Sequence, residues 1–133
     1  MFTTSSYKET IIMAKWANTL VLDALLDKAA TATQMLVTSS QPADRASALT
    51  AALASVSVSS SDFTKSDSTS PVGRKTTIAQ KANLSVTASG SATHVCLIDG
   101  TNLLYVTTTT SQPLTAGNTV TIPAWNISVS NAT

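Results

Sequence analysis

This chain of 133 residues is poor in the residue types that most often carry chemistry. It has one cysteine and one histidine, which excludes an intramolecular disulfide and a site built from several histidines. Charged residues make up 11% of the chain, against about 25% in average soluble proteins. Lysine and arginine number 8 and aspartate and glutamate 7, which excludes a strongly basic nucleic-acid-binding protein. No apolar run approaches the ~20 residues of a membrane-spanning helix. We therefore expect no catalytic, cofactor-binding or metal-binding residues, and neither nucleic acid nor membrane as a partner.

Small hydroxyl side chains take the place of charge. The chain has 23 threonines and 19 serines, together 42 of its residues. All eight basic residues and six of the seven acidic ones lie within residues 8–81, whereas Asp99 is the only acidic residue of 82–133. Free-standing proteins usually cover their surface with charge. We therefore expect the uncharged half to lie partly against other protein; a solvated threonine-rich β-surface is the alternative.

The first residues show neither helical nor alternating periodicity. Residues 1–13 are expected to be an N-terminal extension, and 14–133 a single β-rich domain. Lys8 and Glu9 can be encoded by AAGGAG, a bacterial ribosome-binding sequence, which favours translation from Met13 over Met1. The short apolar run before Met13 does not resemble a signal peptide.

An amphipathic helix is predicted over residues 14–31. Lys15, Thr19, Asp23 and Asp27 fall on its polar face. The apolar stripe is expected to pack against the core. Its members are Ala14, Asn18, Val21, Leu22, Leu25, Leu26 and Ala29.

The rest of the chain predicts mainly short strands. A strand at 35–38 precedes a turn containing Pro42, and Ser40 is expected to cap a brief helix running through Arg45 to Ala54. Residues 59–71 are polar and predict the longest loop. Gly90, Asp99-Gly100 and Gly117-Asn118 predict turns. Strands are predicted at 54–59, 74–80, 83–88, 93–98, 102–110, 119–122 and 125–129.

Residues 93–98 do not alternate, which is typical of a central strand buried on both faces. Trp125, Ile127 and Val129 are expected to share one strand face. Many short strands at even spacing favour an antiparallel β-sandwich or jelly-roll-like domain, preceded by the amphipathic helix.

The candidate chemical sites are few. His94 and Cys96 lie two apart on one strand, with Asp99 nearby, and could form a Cys-His dyad. A buried thiol beside a hydrogen-bonded imidazole is the favoured interpretation. Gly73-Arg74-Lys75 could contact phosphate, but an isolated basic pair without an aromatic platform favours solvated turn residues.

An ordered set of short motifs covers residues 21–129. It begins with Leu22-Asp23 and Leu26-Asp27 on the predicted helix, followed by Leu36-Val37. Further along lie SDFT at 61–64, GRKT at 73–76, GSATHV at 90–95, LID at 97–99, LYVT at 104–107, QPL at 112–114, GNTV at 117–120 and ISV at 127–129. In this order the motifs resemble small virion-associated structural proteins of tailed bacteriophages and prophages. The resemblance implies a β-sandwich component of the particle without enzymatic activity, assembled in the bacterial host cytoplasm.

Physical arguments favour one place on the particle. A capsid decoration, or cement, protein needs surfaces that meet neighbours without a charged barrier, which suits a low-charge threonine-rich sheet. The expected partners are the major capsid protein and further copies of the chain. A neck- or tail-associated structural protein is the alternative, although neither a trimerising heptad stalk nor a long tube-lining hairpin is visible. A host-glycan-binding module is the third hypothesis, although aromatic residues are few.

Overall fold

The computed structural model describes residues 18–69 and 72–130. The predicted extension, the choice between Met1 and Met13, and the first predicted helical residues, 14–17, lie outside this part. The described elements are α1 (Thr19–Ala29), β1 (Gln34–Thr38), α2 (Arg45–Ala51), β2 (Ala52–Ser57), β3 (Phe63–Thr69), β4 (Val72–Ile78), β5 (Lys81–Ser85), β6 (Gly90–Ile98), β7 (Leu103–Leu114), β8 (Thr119–Ile122) and β9 (Trp125–Ser130).

The described strands form three sheets. The largest has the order β2-β1-β6-β7, the second β3-β4-β9, and the third pairs β5 with β8. Every pairing is antiparallel. A single bridge between Ala54 and Val86 connects β2 with the segment after β5. The prediction of a mainly β, antiparallel protein is confirmed.

Helix α1 is shorter than predicted and is rotated. It begins after Asn18, whose side chain accepts a hydrogen bond from the Leu20 amide at 2.8 Å, and it ends at Ala29 rather than residue 31. Its buried residues are Leu22, Leu26 and Ala29. Val21 and Leu25 were predicted on the buried stripe but are 57% and 59% exposed. In this orientation Asp23 and Asp27, on the polar flank of the helix, pair with Arg74 of β4 and Lys65 of β3, as described below.

Helix α2 begins later than predicted because its cap differs. Asp44, not Ser40, is the N-cap: its carboxylate accepts from the Ser47 amide at 2.8 Å, and the Ser47 hydroxyl accepts from the Asp44 amide at 3.1 Å. The Ser40 carbonyl instead accepts from the Thr38 hydroxyl at 2.8 Å. The helix ends at Ala51 because the chain enters β2 at the next residue.

The predicted polar loop at 59–71 is wrong for residues 63–69, which form β3; residues 70 and 71 lie outside the described part. After a 3-10 turn at Ser60–Asp62, β3 pairs with β4 from Phe63, opposite Ile78, to Thr69, opposite Val72. The polar composition of this segment predicted a loop because the exposed side chains Lys65 and Asp67 make salt bridges on the protein surface instead of packing in a core.

The central strand was predicted correctly. β6 lies between β1 and β7, and its residues 95–98 are all buried. The Asp99-Gly100 hairpin is also confirmed, because the Asp99 amide donates to the Asn102 carbonyl at 3.0 Å. Gly90, predicted as a turn, is instead the first residue of β6 and pairs with Leu114. A Cβ atom there would lie 3.2 Å from Leu53 Cδ2, so the absence of a side chain permits this close approach.

Two groups of buried side chains lie on opposite faces of the β2-β1-β6-β7 sheet. The larger includes Leu26 of α1, Met35 and Leu97 of this sheet, and Ile78 and Ile127 of the β3-β4-β9 sheet. The smaller consists of Leu36, Ala48, Cys96 and Ile98, and lies beneath α2. The predicted common face of Trp125, Ile127 and Val129 is confirmed, because all three contact the larger group. In the described part of the chain, neither helix has the length and apolarity needed to span a bilayer.

Candidate functional site

Arg74 is occupied by two carboxylates rather than presented to solvent. Its Nε atom donates to Asp23 Oδ1 on α1 at 2.8 Å, and Nη1 donates to Asp67 Oδ1 on β3 at 2.8 Å. Hydrogen bonding to Arg74 lowers the pKa of Asp23, and the two carboxylates raise the pKa of Arg74. The prediction of solvated turn residues is wrong, because residues 73–75 lie within β4. The guanidinium that would have contacted phosphate instead connects α1 to the sheet.

Two further ion pairs use charges of the first half. Lys65 Nζ lies 2.6 Å from Asp27 Oδ1 and again joins β3 to α1. Lys81 Nζ lies 2.8 Å from Asp62 Oδ1, and this pair is less exposed. The Lys81 ammonium and the Ser59 amide hold the pKa of Asp62 below its usual value. These charges therefore have partners within the fold and are not gathered around a common point.

His94 and Cys96 do not form a hydrogen-bonded dyad. Cys96 is fully buried among the residues beneath α2, and burial raises the pKa of its thiol to about 11. The thiol is therefore protonated at neutral pH and is a poor nucleophile. His94 Nδ1 lies 2.8 Å from Thr93 Oγ1, so the hydrogen bond of the imidazole joins it to its neighbour. The prediction of a buried thiol and a hydrogen-bonded imidazole is confirmed.

Metal-ligating side chains are dispersed as well. Within residues 18–69 and 72–130, no group of three or more histidine, cysteine, aspartate or glutamate side chains is placed to hold a metal ion. Asp44 and Asp99 both have local roles: the first caps α2, and the second accepts from the Thr101 and Asn102 amides at 2.7 and 2.6 Å.

A cleft lies in the uncharged half between the β6-β7 hairpin and the segment from β8 to β9, and is here called the threonine cleft. It consists of two adjoining cavities of about 200 and 220 Å³ that share Val95, Thr109, Ile122 and Pro123. Thr107 and Thr108 contribute to one of them, and Ala92 and Gln112 to the other. The lining is a mixture of hydroxyl, amide and apolar groups without a single charge.

Aromatic side chains lie at one end of the threonine cleft. Trp125 lines it and stacks on Tyr105, with 5.9 Å between ring centroids and 29° between ring planes. The indole Nε1 is buried and has no hydrogen-bond partner among the described residues. Asn126, also at this end, accepts a hydrogen bond from the Thr77 hydroxyl at 2.7 Å.

The sequence did not predict the threonine cleft. Its walls come from strands that are distant in sequence, and the pairing of β6 with β7 shifts register between Ala92 and His94. A signal was nevertheless present: Thr107 to Thr110 form an uninterrupted threonine run, unlike the alternation expected of a half-buried strand. Thr108, Thr109 and Thr110 are all exposed.

In comparisons with protein-family models, curated proteins and solved structures, no match to this chain was found.

Proposed function

We propose that this protein is a non-enzymatic structural component of a tailed-bacteriophage virion, and specifically a capsid decoration protein that binds the major capsid shell and neighbouring copies of itself. The observation that carries the proposal is the surface of the second half. Between residues 82 and 130 the exposed strand positions are occupied by threonine, serine, asparagine and other uncharged residues, with Asp99 the only charged residue. Such a surface can be covered by another protein without leaving a desolvated ion.

We propose further that the sheets form a sandwich of the jelly-roll-like kind. The larger buried group supports this arrangement because it draws side chains from all three sheets. Val95 and Leu97 come from the β2-β1-β6-β7 sheet, Ile127 from the β3-β4-β9 sheet, and Leu84 and Ile122 from the β5-β8 pair. A decoration protein with such a closed core could present its outer strand faces to the shell.

The proposal can be tested by placing a charged residue on these strand faces, because the free-energy cost of the charge depends on whether the face is solvated or covered. A charged residue on a solvated strand face changes stability by less than ~0.5 kcal/mol. The same residue inside a protein contact loses its hydration without a partner, at a cost of several kcal/mol. Thr108→Lys on β7, Thr121→Glu on β8 and Ser128→Lys on β9 all alter exposed positions. We expect these variants to fold normally in isolation and to be depleted from particles.

The assay is quantitative mass spectrometry of purified particles from the phage or induced prophage that encodes the chain. Wild-type copy number close to that of the capsid shell protein supports the decoration role, whereas a far lower number indicates the neck or tail. Thr64→Lys is the matched control, because Thr64 is an exposed strand residue beside Lys65 in the charged half. Equal incorporation of the three charged variants and the control would refute the proposal that the uncharged faces are covered.

Host-glycan binding is a second candidate, favoured by the threonine cleft. The Trp125 ring offers an apolar surface beside several hydroxyls, a combination suited to a sugar ring. The test is a glycan array probed with the full chain, with Thr109→Lys as the variant that blocks the cleft. Specific binding that this variant abolishes would establish the glycan role, and an array without signal would exclude it.

A further inference from the structure

The free edge of β7 is the least protected strand edge in the described part of the chain. β7 is twelve residues long and, among the described strands, pairs only with β6, so no other described strand pairs with the backbone amide and carbonyl groups on its second side. Proteins normally protect such an edge with charged residues, proline, or a covering segment, because an open edge is a template for another strand. From Leu103 to Gln112, β7 has no charged residue and no proline; Pro113 comes only at the end.

Other edges are protected or shorter. β3 carries Lys65 and Asp67, both held in ion pairs. The edge of β2 is partly covered, because the Thr87 amide donates to the Leu53 carbonyl at 2.8 Å beside the Ala54–Val86 bridge. β9 is also uncharged, but it has six residues. The long uncharged edge therefore belongs to β7 alone among the described strands.

The apolar residues of β7 pack against the two buried groups but are less buried than those of the adjacent β6. Leu103, Leu104, Tyr105 and Val106 are only partly buried, whereas residues 95–98 of the adjacent β6 are buried completely or nearly so. Beyond them, every residue from Thr108 to Pro113 is exposed, whichever face it occupies. Thr107 to Thr110 of the same strand also line the threonine cleft.

We propose that the occupant of this edge is β7 of a second copy, paired antiparallel about a two-fold axis, so that the two four-stranded sheets become one continuous sheet. An isologous contact must be compatible with itself. An edge without charge meets this requirement because no residue faces a like charge on its copy. Threonine pairs directly across antiparallel strands are moreover favourable.

The contact is long but narrow. Twelve residues extend about 40 Å. One sheet layer is about 10 Å thick, so pairing through β7 covers roughly 400 Å² per copy, a total of roughly 800 Å² that is typical of weak specific interfaces. This pairing deepens the self-association in the proposed function but requires no virion, so the two can fail separately.

Thr108 provides the test because it is exposed at the middle of β7, where a two-fold axis brings each residue close to its own copy. We expect the full chain to sediment at twice its 13.7 kDa mass. Thr108→Lys and Thr108→Asp should each sediment as monomers, since like charges then meet. An equimolar mixture of the two should restore the dimer, which native mass spectrometry would identify as the heterodimer. Thr64→Lys, on the charged β3 edge, should remain dimeric.

Hydrogen exchange separates strand pairing from a contact through side chains alone. Outward-facing amides of residues 103–112 should exchange more slowly in the wild-type dimer than in folded Thr108→Lys monomers. A monomeric wild type, a dimer unaffected by charge at Thr108, or a mixture that stays monomeric would each overturn the proposal. The proposed function is tested separately, by the wild-type copy number in particles, which can match that of the capsid shell protein whether the free chain is a monomer or a dimer.

Discussion

Two adjacent leucines of α1 offer a direct test of how this helix sits on the sheets. Leu25 and Leu26 both fall on the apolar stripe of the sequence, but Leu25 is 59% exposed and Leu26 is 1% exposed. Leu26→Ala removes three buried carbons, worth roughly 2.4 kcal/mol at about 0.8 kcal/mol per CH₂ group. A cavity left behind raises the usual range to about 2–5 kcal/mol. Leu25→Ala should cost about 1 kcal/mol or less, because much of that side chain already contacts water.

The measurement is the free energy of unfolding from urea denaturation of the full chain, at concentrations where the protein is monomeric. Thermal unfolding should agree: for a chain of this size, a loss of about 3 kcal/mol lowers Tm by about 10 °C. The two variants control for each other because they change helix propensity equally. Equal losses, or a larger loss for Leu25→Ala, would refute the described rotation of α1.

Three further predictions concern single residues. Because the Cys96 side chain is fully buried and burial raises the pKa of its thiol to about 11, a thiol reagent should modify the folded protein only as fast as the protein opens. Immediate labelling at pH 8 would contradict this. Lys81 and the Ser59 amide lower the pKa of Asp62 in the folded protein. The ionised Asp62 therefore stabilises the folded state fully above the ordinary carboxyl pKa, and this stabilisation is lost as the pH falls through the lowered pKa of the folded protein. Asp62→Asn should therefore reduce the stability lost between about pH 5 and pH 2, and an unchanged slope would argue against it. Gly117 has φ +93°, so Gly117→Ala should cost about 1–2 kcal/mol. Gly100→Ala should cost less, because it needs no positive φ; at both glycines no atom lies within 4 Å of the added Cβ. Equal losses would exclude a conformational cause.

Local signals in the sequence predicted the parts of the fold that depend on local physics. The continuous apolar run at residues 95–98 identified the central strand β6, and Asp99-Gly100 identified the hairpin that follows it. At Gly90 a turn was predicted but the structure has a strand residue, and the reason for this error is not local. The glycine there serves a close approach to Leu53, which no local pattern reveals.

Elements that depend on distant partners were the ones missed. β3 has the composition of a loop, and its strand conformation is stabilised by pairing with β4 and by the contacts of Lys65 and Asp67 with α1 and Arg74. On α1, Asp23 and Asp27 pair with Arg74 and Lys65, so the polar flank of the helix lies towards β4 and β3. The threonine cleft was missed for a related reason, because its walls are brought together only by the packing of β6 and β7 against β8 and β9.

Burial of β6 on both faces has a consequence for how the chain finds its pairing register. In a strand with one buried face, a slip of one residue is penalised because it moves apolar side chains into water. In β6, Val95 and Leu97 face one buried group while Cys96 and Ile98 face the other. A slip would exchange apolar residues for apolar residues, so hydrophobicity discriminates only weakly between the two registers. The turn between β6 and β7 must then largely determine their pairing register. In this turn the Asp99 carboxylate accepts hydrogen bonds from the Thr101 and Asn102 amides, which fixes the residue at which the chain reverses.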